Sequence, residues 1–171
     1  FASVGQGSNK KAIGGIRATH SDPAKVRLCQ RSIEIFRTWK EETGDDIEWY
    51  QGGYAFVAYR EQEEKALKNL VEKQKRDYQL NIDWLDHDAM LQVSPDLNPK
   101  GLIGGTFSPE DGSISPLLAV HSFYTQAVAA GVTFHFDEKV TELVIEQGRV
   151  VGVRTPTASY SADVVINAAG P

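Results

Sequence analysis

The 171-residue sequence predicts an α+β fold, because helical and strand patterns follow one another along it without a repeat. Two amphipathic helical patterns, over residues 21–43 and 61–78, flank a run of β-forming residues at 47–59. From residue 140 the pattern changes to short strands joined by turns. This order predicts pieces of an α/β layer next to an antiparallel sheet.

The first twenty residues predict a loop, since they lack apolar periodicity and contain Gly5, Gly7, Gly14 and Gly15. Glycine permits positive φ, and exposed N–H groups in such a loop can line an anion. The loop matches neither the P-loop pattern nor GxGxxG. A ligand-binding loop and a flexible leader both fit this stretch on spacing alone.

Helices are predicted where a capping residue precedes an apolar stripe. The first covers Ser21–Glu42 and the second, with a solvated charged face, covers Glu61–Tyr78. Asp86 caps a brief third helix that extends to Leu91, and we favour this capping role over a metal site formed with its neighbours His87 and Asp88. The fourth, Pro116–Ala130, is apolar nearly all round, which predicts burial on more than one side.

Strands are predicted at β-branched and aromatic runs between turn residues such as Asp111-Gly112. The first run is either a strand pair or one bent strand, and its Gly-Gly pair indicates a bulge or close packing against something flat. The last run is continuously apolar, which predicts a buried central strand. The predicted strands are Ile47–Tyr59, Ile82–Leu85, Leu102–Phe107, Val132–Phe136, Val140–Ile145, Val150–Thr155, Ser159–Ser161 and Asp163–Asn167.

The composition argues against several classes of protein. A net charge of −5 without a basic stripe argues against nucleic acid as a partner. No apolar run approaches the roughly 20 residues that cross a bilayer, so no transmembrane segment is predicted. The single cysteine, Cys29, is interpreted as a buried structural thiol, because it lies on an apolar helix stripe. It cannot form an internal disulfide, which is typical of a reducing compartment and predicts a cytoplasmic location.

Three stretches in this order resemble one family. They are Gly7-Ser8 with Gly14-Gly15-Ile16-Arg17, then residues 105–116 (GTFSPEDGSISP), then residues 164–171 (VVINAAGP). The ordered set is similar to FAD-dependent amine and amino-acid oxidoreductases, the family of D-amino-acid oxidase, glycine oxidase and sarcosine oxidase. The sarcosine oxidase and L-proline dehydrogenase branch is the most similar.

The resemblance implies an incomplete two-domain flavoprotein, in which an α/β FAD-binding portion meets an antiparallel substrate-domain sheet. Residues 1–45 and 111–171 would belong to the FAD-binding domain and residues 46–110 to the substrate-binding domain. The family's GxGxxG turn would precede Phe1, so we expect an internal fragment of a larger enzyme. We expect the isolated fragment to be inactive and to bind FAD poorly, because a partial site lacks the full set of contacts.

The resemblance also implies the site residues. Arg17 matches an arginine that meets the substrate carboxylate, although an ordinary salt bridge is an equal alternative from the sequence. Val140 and the backbone of Ala168, Ala169 and Gly170 would contact FAD. The loop that would pass along the cofactor comprises Ser8, Asn9, Lys10, Lys11, Ala12, Ile13, Gly14, Gly15 and Ile16.

The activity that the resemblance implies is oxidation of a C–N bond in glycine, sarcosine, proline or a D-amino acid, with hydride transfer to the flavin. This explains why no acid–base pair or nucleophile stands out. A flavoprotein of the glycerol-3-phosphate dehydrogenase type and a non-catalytic electron-transfer or interaction subunit are the alternatives. Self-association or a partner subunit is a further expectation.

Overall fold

The computed structural model describes residues 3–170 of the chain. Over these residues the fold is α+β, as predicted, and every strand pairing is antiparallel. The helices are α1 (Pro23–Thr43), α2 (Glu61–Tyr78), α3 (His87–Val93) and α4 (Pro116–Ala129), with a 3-10 turn at Ser8–Lys11. The strands are β1 (Gly15–Ile16), β2 (Tyr54–Ala58), β3 (Asp83–Asp86), β4 (Gly104–Ser108), β5 (Gly112–Ser113), β6 (Glu142–Glu146), β7 (Arg149–Arg154) and β8 (Ser159–Ser161).

The helix ends follow from local chemistry. The Asp22 carboxylate accepts a hydrogen bond from the Lys25 N–H at 2.9 Å, which satisfies one of the free donors of the first turn of α1. The same helix ends at Gly44, which adopts φ of 79° in the left-handed region. Asp86 caps α3 by accepting from the Ala89 N–H at 3.0 Å, so the capping prediction is confirmed.

The central sheet has the order β2-β4-β3, and α2 and α3 pack against it. In this register Phe56 lies opposite Thr106, and Trp84 lies opposite the same residue from the other edge. An apolar core joins α1 to α2 and to the segment that follows α2, and its buried members are Ala18, Val26, Ile33, Val71, Leu80 and Ile82. The core fixes the end of β1 relative to α1 and α2, because Ile16 packs against it.

The first predicted strand region is shorter than expected. Only Tyr54–Ala58 forms a strand, and Tyr50 makes an isolated bridge to Ser113. The prediction of close packing at the Gly-Gly pair is confirmed, because a Cβ on Gly53 would lie 2.4 Å from the Phe107 ring. Gly53 directly precedes β2 and has φ of 76°, a left-handed conformation in which a strand does not continue.

Two predicted strands are absent from the described residues, where Val132–Phe136 and Asp163–Asn167 have no strand assignment. The second lies at the surface, with Val164 71% and Ile166 83% exposed. Helix α4 also exposes Leu117, Phe123 and Val128, whereas burial on more than one side was predicted. A strand needs a paired neighbour and an apolar helix needs a covering layer, and residues 3–170 supply neither at these places. Pro171, which closes the predicted C-terminal motif, lies outside the described residues.

Candidate functional site

An open cleft of about 620 Å³ lies between the N-terminal loop and α4. The loop wall contains most of the stretch from Asn9 to Ile16 that the sequence analysis selected. The opposite wall is apolar and was not predicted. The lining residues are Asn9, Lys11, Ala12, Ile13, Gly14, Gly15, Ile16, Phe36, Ile114, Pro116, Ala119, Val120 and Phe123.

The two walls are tied together by hydrogen bonds. The Ile114 N–H donates to the Gly14 carbonyl at 3.0 Å, and the Asn9 side-chain amide donates to the Pro116 carbonyl at 2.8 Å. Gly14 has φ of 86°, and a Cβ there would lie 2.1 Å from the Ile114 carbonyl oxygen. Only glycine therefore permits this approach, and the pairing of β1 with β5 extends it.

Arg17 follows β1 directly and is half-buried. Its guanidinium carbon lies 5.4 Å from the centroid of the Tyr54 ring and 5.0 Å from that of Phe56, and the guanidinium donates to the Thr19 carbonyl. Among the described residues it forms no ion pair, so the salt bridge considered from the sequence is not formed there. A guanidinium has five N–H donors and the bond to Thr19 uses one of them, so the group retains the capacity to bind an anion.

Asp111 is the charged residue that the sequence analysis missed as part of this region. Its side chain is 1% exposed, one oxygen accepts from the Ala18 N–H at 3.0 Å, and the other lies 3.5 Å from the Thr19 hydroxyl. Burial raises the pKa of Asp111, while the Ala18 hydrogen bond and the nearby Arg17 charge act in the opposite direction. The sequence predicted only a turn at Asp111-Gly112, since nothing local distinguishes a turn aspartate from a buried one.

Several predicted residues lie elsewhere. Ser8 and Lys10 belong to the 3-10 turn beside the cleft but do not line it. Val140 is 50% exposed, and residues 168–170 are exposed at the C-terminal end of the described chain. The structure does not bring these residues to the cleft, so their contacts with a cofactor stay predictions.

Other reactive side chains have local roles. Burial raises the pKa of Cys29, which packs against the core as a thiol. His87 pairs with Asp88 at 2.8 Å.

In the described part of the chain, no group of His, Cys, Asp and Glu side chains is placed to hold a metal ion. Within residues 3–170, none of the helices combines the length and apolar character that a bilayer crossing requires.

The fold and the cleft define a class of protein: an α+β chain whose glycine-containing loop and apolar helix form an open cleft of the size of a small-molecule site. The family model described as "FAD dependent oxidoreductase" matches residues 2–171. The chain therefore belongs to the FAD-dependent oxidoreductase (DAO) family, which confirms the resemblance.

Individual relatives agree with this assignment. The chain is 28% identical to the bifunctional protein ThiO/ThiG of Nostoc sp. over 88% of its own length and 23% of that protein. It superposes on L-proline dehydrogenase from P. horikoshii with a TM-score of 0.87 and 27% identity, over 96% of this chain and 43% of that one. Glycine oxidase from Geobacillus kaustophilus shares the fold with a TM-score of 0.85 at 22% identity, over 99% and 47% of the two chains. The chain thus spans less than half the length of these relatives.

The cleft residues fit the cofactor that the family uses. FAD combines a charged pyrophosphate with a flat aromatic ring system, and the cleft pairs Lys11 and the Asn9 amide with an apolar wall that includes Phe36 and Val120. Its volume lies within the roughly 300–1,000 Å³ of small-molecule sites. The backbone at Gly15 has no side chain to obstruct a ligand, since a Cβ there would meet only the Tyr54 ring edge at 3.4 Å.

Proposed function

We propose that this chain contributes the cofactor-facing loop and the carboxylate-binding arginine of an enzyme that oxidises the C–N bond of an amino acid or secondary amine. The observation that carries the proposal is the position of Arg17, immediately after the cleft strand and over two aromatic rings. The names of similar proteins, L-proline dehydrogenase and glycine oxidase, support an amino-acid substrate.

Each part of the site has a separate task. Asn9 and residues 11–16 of the loop hold the cofactor along the cleft, with backbone N–H groups and the Lys11 charge toward phosphate oxygens. Contacts of Ser8 and Lys10 with the cofactor rest on the family resemblance. Arg17 receives the substrate carboxylate through the planar fork of its guanidinium, which matches a carboxylate in two parallel hydrogen bonds. Bound FAD supplies the acceptor for the hydride of the α-carbon.

The outer parts of the proposal rest on the family resemblance. Val140 and the backbone of Ala168, Ala169 and Gly170 contact FAD in the full-length protein. Residues 1–45 and 111–171 belong to its FAD-binding domain, and residues 46–110 belong to the domain that covers the substrate. The single free cysteine supports a cytoplasmic location.

The test uses the full-length protein, purified and examined for a flavin absorbance spectrum. Glycine, sarcosine, L-proline, D-alanine and glycerol-3-phosphate are added without oxygen, and bleaching of the flavin is recorded. Bleaching by an amino acid supports the proposal. Bleaching by glycerol-3-phosphate alone, or bound FAD that none of these compounds reduces, contradicts it.

A further inference from the structure

Asp111 is a buried carboxylate to which the proposed chemistry assigns no role. Its side chain binds the backbone directly after Arg17, because the Ala18 N–H donates to it at 3.0 Å and the Thr19 hydroxyl lies 3.5 Å away. The Thr19 carbonyl in turn accepts from the Arg17 guanidinium. The Asp111 carboxylate therefore holds Ala18 and Thr19, and Thr19 in turn binds the Arg17 guanidinium.

The backbone of the same residue fixes the aromatic rings. The Asp111 carbonyl accepts from the Gly53 N–H at 2.9 Å, one residue before Tyr54. Tyr54 and Phe56 then lie under the Arg17 guanidinium. Asp111 is thus the common anchor of both sides of the arginine, and its side chain is 1% exposed.

We propose that Asp111 is a positioning residue, which sets where the Arg17 guanidinium meets the carboxylate of the substrate. This inference rests on the proposed function. Removal of the Asp111 side chain leaves the buried Ala18 N–H without its 3.0 Å acceptor, and an unpaired buried donor loosens the segment that holds Arg17. The consequence is specific: without Asp111 the enzyme loses discrimination for the carboxylate before it loses the ability to oxidise the amine.

The experiment compares matched substrates on the full-length enzyme. Sarcosine is paired with sarcosinamide and L-proline with L-prolinamide, because each amide is nearly isosteric with its acid but is neutral and offers one acceptor oxygen instead of two. The variants are Arg17→Gln, Asp111→Asn, Asp111→Ala and the double variant Arg17→Gln/Asp111→Ala. Glu110→Gln is the matched control, since it removes an acidic charge at the adjacent exposed position.

For Asp111→Ala we expect KM for the acid to rise at least about tenfold while kcat/KM for the amide changes less than about twofold. Asp111→Asn keeps an acceptor for the Ala18 N–H, so its effect is intermediate, and Glu110→Gln has none. The acid-to-amide ratio is kcat/KM for the acid divided by kcat/KM for the matching amide. The double variant shows the same ratio as Arg17→Gln, because Asp111 acts through the arginine.

The two proposals fail in different ways. An unchanged acid-to-amide ratio in Arg17→Gln contradicts the carboxylate role of Arg17 and the proposed function with it. A lowered ratio in Arg17→Gln, with equal losses for acid and amide in both Asp111 variants, overturns only the positioning role. If Asp111→Ala does not fold, the acid-to-amide ratio is measured for Asp111→Asn instead. An unchanged ratio in Asp111→Asn then overturns the positioning role of Asp111.

Discussion

Replacement of Gly14 by alanine tests whether the cleft wall depends on the close approach of two backbone segments. Gly14 has φ of 86°, a conformation that costs a non-glycine residue about 1–2 kcal/mol. The new Cβ would also lie 2.1 Å from the Ile114 carbonyl oxygen. Relief of that contact breaks the 3.0 Å hydrogen bond from the Ile114 N–H to Gly14, which adds about 1–3 kcal/mol if the donor stays unpaired.

The sum predicts a loss of about 2–5 kcal/mol in the free energy of unfolding for Gly14→Ala. With a urea m-value of about 2 kcal/mol per molar, the midpoint falls by about 1–2.5 M. The measurement is urea unfolding followed by circular dichroism. Gly44→Ala is the matched control, because Gly44 has φ of 79° and nothing lies within 4 Å of its Cβ position. If the two variants lose equal stability, the argument from the backbone contact is refuted.

Three further predictions concern other parts of the chain. Ser122→Ala lowers stability by about 1–3 kcal/mol in thermal unfolding, because the buried Trp39 indole N–H loses its 2.8 Å acceptor. Ser32→Ala has little effect, because among the described residues the Ser32 hydroxyl bonds only the Leu28 carbonyl of its own helix. Hydrogen bonds from three hydroxyl groups lower the pKa of Glu138 below its ordinary value of 4.5. The ionised Glu138 side chain therefore stabilises the fold fully above pH 4.5, and this contribution is lost as the pH falls through the folded-state pKa. The difference in Tm between the wild type and Glu138→Gln should therefore shrink on acidification, and a constant difference contradicts this. The 171-residue chain alone should self-associate through the exposed apolar residues of α4, and Phe123→Ser should weaken this association. Light scattering measures the mass of the particles, and a monomer at all concentrations refutes the prediction.

Much of the fold follows from short segments of sequence. Asp22, Gly44 and Asp86 mark helix ends whose hydrogen bonds lie within three or four residues, so the helix bounds could be predicted closely. The meander from residue 142 to 161 was predictable for the same reason, because its turns and alternating pattern are local.

The candidate site could be predicted only in part. The loop from Asn9 to Ile16 was selected from its glycines and from the family resemblance, and most of it lines the cleft. The second wall was missed, because apolar residues such as Phe36 and Val120 indicate a core in sequence as much as they indicate a ligand groove. Which of the two they form depends on the element that faces them.

The sequence by itself determined the four helices and their ends, the C-terminal meander, the cleft loop and the family of this protein, since these depend on neighbouring residues or on motifs in order. Only the tertiary structure decided that Asp111 is buried beneath the Arg17 segment, more than ninety positions earlier in the chain. It also decided that Val164 and Ile166 are exposed rather than buried in a paired strand. Burial and strand pairing depend on contacts between segments that are distant in sequence. A local sequence pattern does not show which distant segments come together.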